Sequence, residues 1–152
     1  MEMEMEMELI AGSDTTTGVL GGAQTFHVSM CTAEDMIEAI EKGFPKVALR
    51  NTAKRVFTEP GEAMKFVYRI VPEATYKRRT RLTPAESERT ERLARVIAQA
   101  EHVWDDRESA QEWLLKPHPE LRGKEPIYFA MTELGARRVE ELLNTILHGL
   151  PV

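Results

Sequence analysis

The stretch from Gly123 to Gly149, GKEPIYFAMTELGARRVEELLNTILHG, leaves this chain the least conformational freedom. Leu134, Val139, Leu142, Leu143, Ile146 and Leu150 recur close to the three-then-four spacing that puts side chains on one face of an α-helix. Thr132 can cap that helix. Gly149 can end it in a left-handed conformation, and Pro151 cannot continue the turn. From Thr132 to His148 such a helix is about 25 Å long at about 1.5 Å per residue. Glu133, Arg137, Arg138, Glu140, Glu141 and Asn144 form its wet side. Burying a large apolar side chain gains roughly 1.5–3 kcal/mol, so the dry side requires a cover. Either its own domain or another polypeptide can supply it.

The length, 152 residues, suits one domain or two very small ones. No run of 18 or more apolar residues occurs, which argues against a membrane-spanning helix. Cys31 stands alone, so it can form neither an internal disulfide nor a thiolate metal site. An inert thiol in a reducing cytoplasm fits it best. The net charge of -5 conceals an uneven distribution. Residues 1–43 hold one basic and nine acidic side chains, residues 44–82 hold ten and three, and residues 83–152 hold nine and thirteen. The middle third is a basic island suited to a polyanion, most simply nucleic acid, which the acidic remainder repels.

The chain opens with MEMEMEME, then Gly, Ser and Thr that offer no core, so residues 1–31 read as a disordered or weakly ordered tail. Glutamate at every second position is unlike a secretory signal. From Thr32, TAEDMIEAIEKGF has a threonine cap, acids in the first turn, Met36, Ile37 and Ile40 on one side, and Lys42 with Gly43 at its end. A second helix reads over Pro45–Phe57, and a third starts at Pro60, where proline at the first helical position loses no hydrogen bond. After Pro72 comes PEATYKRRTR. Helix, brief turn and short cationic helix are the parts of a helix-turn-helix DNA reader, although the usual turn glycine is missing. On this reading Thr75, Tyr76 and Arg78 point toward bases, and Lys77, Arg79 and Arg81 meet phosphates. A solvated basic helix end is the alternative.

From Leu82 the character changes. Thr83, Pro84 and Glu86 make a strong helix start, and Leu93, Val96, Ile97, Ala100, Val103 and Trp104 follow at helical spacing. Asp105 with Glu108 repeats the capping arrangement ahead of Ala110, Trp113 and Leu114, and Pro117 closes that helix. The expected fold is all-α, with residues 32–82 the helix-turn-helix domain and residues 83–152 a second small helical domain. Catalysis finds little support. His27, His102, His118 and His148 lack metal-ligand spacing, and neither a glycine-rich phosphate loop nor a serine in a nucleophile elbow occurs. Glu86, Glu88, Glu91, Asp105 and Asp106 read as capping and solvated charges. No metal or cofactor is expected.

Residues 82–152 resemble the C-terminal toxin-binding domain of Xre/MbcA/ParS-type antitoxins. The shared pattern is Leu82 and Pro84, a long helix to Trp104, an acid-capped helix over Asp106 to Leu114, and a turn over Pro117 to Gly123. Pro126 follows, then Glu133, Gly135, Ala136, Val139, Leu142, Leu143, Ile146, His148 and Gly149. Arg122 and Glu125 depart from it, standing where smaller residues are commoner. Residues 32–81 are similar to that family's helix-turn-helix portion more loosely. The resemblance implies a bacterial type II antitoxin that silences a RES-domain, NAD-consuming toxin by covering its active site and represses its own operon. It also implies Glu141, Asn144, Thr145, His148, Leu150, Pro151 and Val152 as toxin contacts. For His148, the helix-end dipole is an equal alternative. A module of about 70 residues buries a poor fraction of its surface, so a homodimer or a covering partner is expected. A stand-alone repressor without a toxin is the competing reading.

Overall fold

The computed structural model describes residues 15–27, 30 and 32–149. Ten α-helices are described: α1 Thr16–Leu20, α2 Gly22–Phe26, α3 Ala33–Lys42, α4 Val47–Val56, α5 Pro60–Ile70, α6 Glu73–Arg78, α7 Pro84–Trp104, α8 Arg107–Leu115, α9 Pro126–Phe129 and α10 Glu133–Leu147. A 3-10 turn, Pro119–Leu121, lies between α8 and α9. Among the described residues the only extended pairings are isolated bridges, Pro45 with Arg81 and His118 with Lys124. The fold is all-α, and no described helix is long and apolar enough to cross a membrane.

The organising element is α7. At about 1.5 Å per residue its 21 residues span about 30 Å, and helices pack along it from both ends of the chain. Its start follows from sequence. Thr83 accepts a hydrogen bond from the Glu86 backbone N–H at 3.1 Å, and Glu86 accepts one from the Thr83 N–H at 2.8 Å, closing the expected capping box. Leu93, Ala94, Val96, Ile97 and Ala100 are buried along it. Two hydroxyls are buried with them and both are bonded: Ser87 accepts from the Phe44 N–H at 2.8 Å, and Thr90 donates to the Glu86 carbonyl at 2.8 Å. The first of these pins the entrance of α4 to α7. Beside it the Leu82 N–H donates to the Phe44 carbonyl at 2.8 Å, and Gly43, at φ +86°, has no room for a side chain because a Cβ would strike the Leu82 carbonyl oxygen.

Residues 15–27, expected to be weakly ordered, instead form α1 and α2. Thr15 caps α1, Val19 and Leu20 are buried against α4 and α7, and Phe26 meets the Phe44 ring edge-on at 5.2 Å. Asn51 fastens this strap by donating to the Leu20 carbonyl at 3.1 Å. The rest of the tail, residues 1–14, 28, 29 and 31 with Cys31 among them, lies outside the described residues.

The cover for the C-terminal stripe comes from this chain. Val139, Leu142 and Leu143 are buried on α7, so this part of the stripe is covered within the chain itself, while Ile146 is half-buried and Leu150 lies outside the described residues. Leu134 is not part of it and is 75% exposed. Five residues separate Leu134 from Val139, a rotation of about 500° at about 100° per residue, which leaves Leu134 on the wet side. The α3 helix has the capping box read from Thr32 and Asp35, yet none of its residues is fully buried and Ile37 is 54% exposed. A residue shift occurs at α8, where Asp106 rather than Asp105 is the cap; Asp105, at φ +49°, terminates α7.

The two halves share one core. Arg55 on α4 grips Glu101 on α7 through Nε and Nη2, both at 2.8 Å, and Gln111 on α8 donates to the Arg55 carbonyl at 2.9 Å. On α5, Arg69 lies 4.4 Å from the centre of the Tyr128 ring of α9.

Candidate DNA-reading helix and toxin-facing end

The α4–α6 segment has the order of parts of a DNA reader, and α6 is its exposed helix. Pro72 sets its start and the chain leaves it extended at Arg79. With six residues it cannot stand alone, and its attachment is non-local. Lys46 reaches the Tyr76 and Lys77 carbonyls with Nζ at 3.0 and 3.4 Å, and its backbone N–H donates to the Thr80 carbonyl at 3.2 Å.

Tyr76 is the inward anchor of this helix and does not face a base. It is 7% exposed, its hydroxyl donates to the Lys46 carbonyl at 3.1 Å, and the Lys46 ammonium sits 5.0 Å from its ring centre. Burial pushes its phenol above the usual value, with nearby Arg50 opposing. Thr75 is half-buried. Lys77 is exposed and paired with Glu73 at 2.8 Å, which raises its pKa further. Arg79 holds Glu86, the capping residue of α7, at 2.7 Å, and Arg81 donates to the Gly43 carbonyl at 2.8 Å. The Arg78 side chain is exposed and makes no hydrogen bond or ion pair among the described residues. Of the six residues read from sequence, Arg78 therefore offers the freest cation, Lys77 and Arg81 offer partly engaged ones, and Tyr76 offers none.

Sequence reasoning passed over Arg50. It is exposed on α4, close enough to Tyr76 to influence its titration, and so shares the surface around α6. Its signal was available: Arg50 and Lys54 stand four apart on α4, about 100° round the helix from the buried Leu49 and Ala53 respectively.

At the other end, the turn after α8 is built by His118, whose Nδ1 accepts from the Glu120 N–H at 3.1 Å and whose carbonyl accepts from Leu121 and Gly123 at 3.0 Å. Arg122 takes a left-handed conformation there, φ +59°, which L side chains rarely adopt. Thr132 then caps α10 by accepting from the Gly135 N–H at 3.0 Å. Gly135 is required at that point, because a Cβ would strike the Phe129 carbonyl oxygen of α9. Arg95 on α7 stitches the helices together, bonding Glu91 at 3.1 Å and Glu140 at 3.0 Å. Burial holds the Glu91 carboxyl above its ordinary range despite Arg95.

Glu141 and His148 are exposed on α10. Asn144 is exposed too but accepts from Gln99 Nε2 at 3.0 Å, and Thr145 donates back to the Glu141 carbonyl at 3.0 Å. His148 ends the helix, followed by Gly149 at φ +66°, the left-handed stop read from sequence. Leu150, Pro151 and Val152 lie outside the described residues.

This order of parts has counterparts among known proteins. A family model for the antitoxin Xre-like helix-turn-helix domain matches residues 35–95, and one for the antitoxin Xre/MbcA/ParS C-terminal toxin-binding domain matches residues 99–149. The chain belongs to the Xre family of antitoxins. The first matched range of this Xre-family chain ends, and the second begins, inside α7, which accordingly serves both. It is similar to the antitoxin Xre of Pseudomonas putida, 37% identical over 84 residues, or 53% of this chain and 53% of that relative. The chain thus spans about half the length of the relative it matches.

Proposed function

We propose that this protein is the antitoxin of a cytoplasmic toxin-antitoxin pair. Its C-terminal domain binds a RES-domain, NAD-consuming toxin and neutralises it by covering the active site. Its α4–α6 reader, in a homodimer, holds the pair on operator DNA and represses their operon. The observation that carries this reading is the joining of a helix-turn-helix domain and a toxin-binding domain on one helix, α7. The RES assignment is supported by the resemblance of residues 82–152, which implies Glu141, Asn144, Thr145, His148, Leu150, Pro151 and Val152 as toxin contacts. For DNA, Arg78 and Thr75 approach bases while Lys77, Arg79, Arg81 and Arg50 meet phosphates, and each phosphate neutralised contributes about 0.9 to the slope of log affinity against log salt.

The test is co-expression with the product of the adjacent reading frame, scoring stoichiometric co-purification, growth and cellular NAD. The full chain should co-purify, restore growth and preserve NAD. Deleting Leu150 to Val152 should weaken inhibition without lowering the melting temperature. A truncated chain that silences the toxin fully counts against the terminal cover, and a neighbour that never co-purifies leaves only a repressor.

A further inference from the structure

Between the α4–α5 turn and the outer face of α8 lies a groove of about 370 Å³, lined in part by Val56, Phe57 and Leu115. Leu115 is 36% exposed there, although Ala110 and Leu114 of the same helix are buried. Four carboxylates line the same groove, Glu59, Glu62, Glu108 and Glu112, and no Lys, Arg or His does. Glu62 pairs with Lys65 at 3.1 Å across an exposed i,i+3 step, a contact that holds it weakly. The other three make no side-chain hydrogen bond or ion pair among the described residues.

We propose that this groove docks a cationic amphipathic segment of another protein, with one or two large apolar side chains between Phe57 and Leu115 and Lys or Arg against the carboxylate rim. The apolar floor supplies burial and the rim supplies the sign of charge. That sign excludes nucleic acid and anionic lipid. It also excludes the chain's own first 14 residues, which carry Glu2, Glu4, Glu6, Glu8 and Asp14 and no basic side chain. The groove is preformed: Gln111 bonds the Arg55 carbonyl at 2.9 Å and Arg55 grips Glu101, fixing α8 against α4, so an occupant pays little reorganisation. One wall comes from the matched helix-turn-helix range and the other from the matched toxin-binding range. An occupant therefore touches both.

The experiment uses the full chain and a fluorescein-labelled helical peptide with leucines at i,i+3,i+4 spacing on a lysine background, read by fluorescence anisotropy. Binding should weaken with added salt and shift the amide resonances of Phe57, Gln111 and Leu115. Glu108→Gln combined with Glu112→Lys, and separately Leu115→Asp, should each lower affinity by about tenfold or more, the carboxylate variant with unchanged melting temperature because its side chains are exposed. Peptides with Glu for Lys, or Ser for Leu, should not bind. Equal affinity for the groove variants, resonance shifts confined to another face, or equal binding of the acidic peptide would each overturn the proposal. So would sedimentation showing that Leu115→Asp converts a dimer to a monomer, since the occupant would then be a second copy of the chain.

Discussion

Helices α6 and α10 both present themselves in the sequence as surface elements with a partner to meet, and they are held in opposite ways. Along α10, Val139, Leu142 and Leu143 are buried on α7, and Arg95 stitches the seam from outside. Only Tyr76 of α6 is buried, and much of the rest of its attachment is hydrogen bonds to the helix backbone, chiefly from Lys46. A stripe spreads the holding energy over several side chains, whereas a tether concentrates it in one anchor. The outward face of α10 is thus fixed by packing, and that of α6 by the geometry of Lys46 and Tyr76.

The largest effect should come from the stripe. Leu143→Ala removes a fully buried side chain between α10 and α7 and should lower unfolding free energy by about 2–5 kcal/mol, measured by urea denaturation. A loss under about 1 kcal/mol would mean that the seam collapses around the gap, and α10 would then be held no more tightly than α6.

Next in size is the α9–α10 junction. Gly135→Ala places a methyl group against the Phe129 carbonyl, and overpacking of this kind should lower stability by about 1–3 kcal/mol. The backbone must move to accept it, so the same variant should also displace the first turn of α10, visible as changed amide shifts from Thr132 to Arg137. A variant as stable as the parent would show that the two helices are free to separate there.

These two residues also mark what sequence could reveal. Caps at Thr32, Thr83 and Thr132 were legible because each rests on residues three apart, and Val139, Leu142 and Leu143 because periodicity is local. The strap over residues 15–27 was not, since helices of five residues do not form on their own propensity and owe their order to Val19 and Leu20 packing on distant α4 and α7. At the reader, composition located the basic island but could not say which cations are spent internally. Arg81 bonds Gly43, 38 residues away, and Tyr76 bonds Lys46, 30 residues away, and no periodic pattern carries such pairs. Glu141, which amphipathicity put on the wet side of α10, is exposed there.

For the tether, Tyr76→Phe keeps the ring and deletes the hydroxyl bond to the Lys46 carbonyl, which should cost about 0.5–1.5 kcal/mol. Affinity for a promoter duplex from its own operon should stay near the parent's value, because the hydroxyl faces the core. Arg78→Ala should do the reverse, leaving stability intact while weakening that duplex and flattening its salt slope by about 0.9. If Tyr76→Phe were the one to abolish the mobility shift, the anchor would be reading DNA after all.

The smallest effect tests the charge stitching of the α7–α10 seam. Burial raises the Glu91 carboxyl above its ordinary 4.5, and Arg95 opposes that shift without reversing it. The folded state thus binds this proton more tightly than the unfolded chain. Stability attributable to Glu91 should rise as pH falls through the raised value toward 4.5, and should be lower and flat above it. Glu91→Gln lacks the titration, so its urea midpoint should fall relative to the parent's as pH is lowered from neutral toward the ordinary 4.5. The opposite trend would mean that the ion pair with Arg95 outweighs burial, making the seam of α10 as dependent on a single charged contact as α6 is on Lys46.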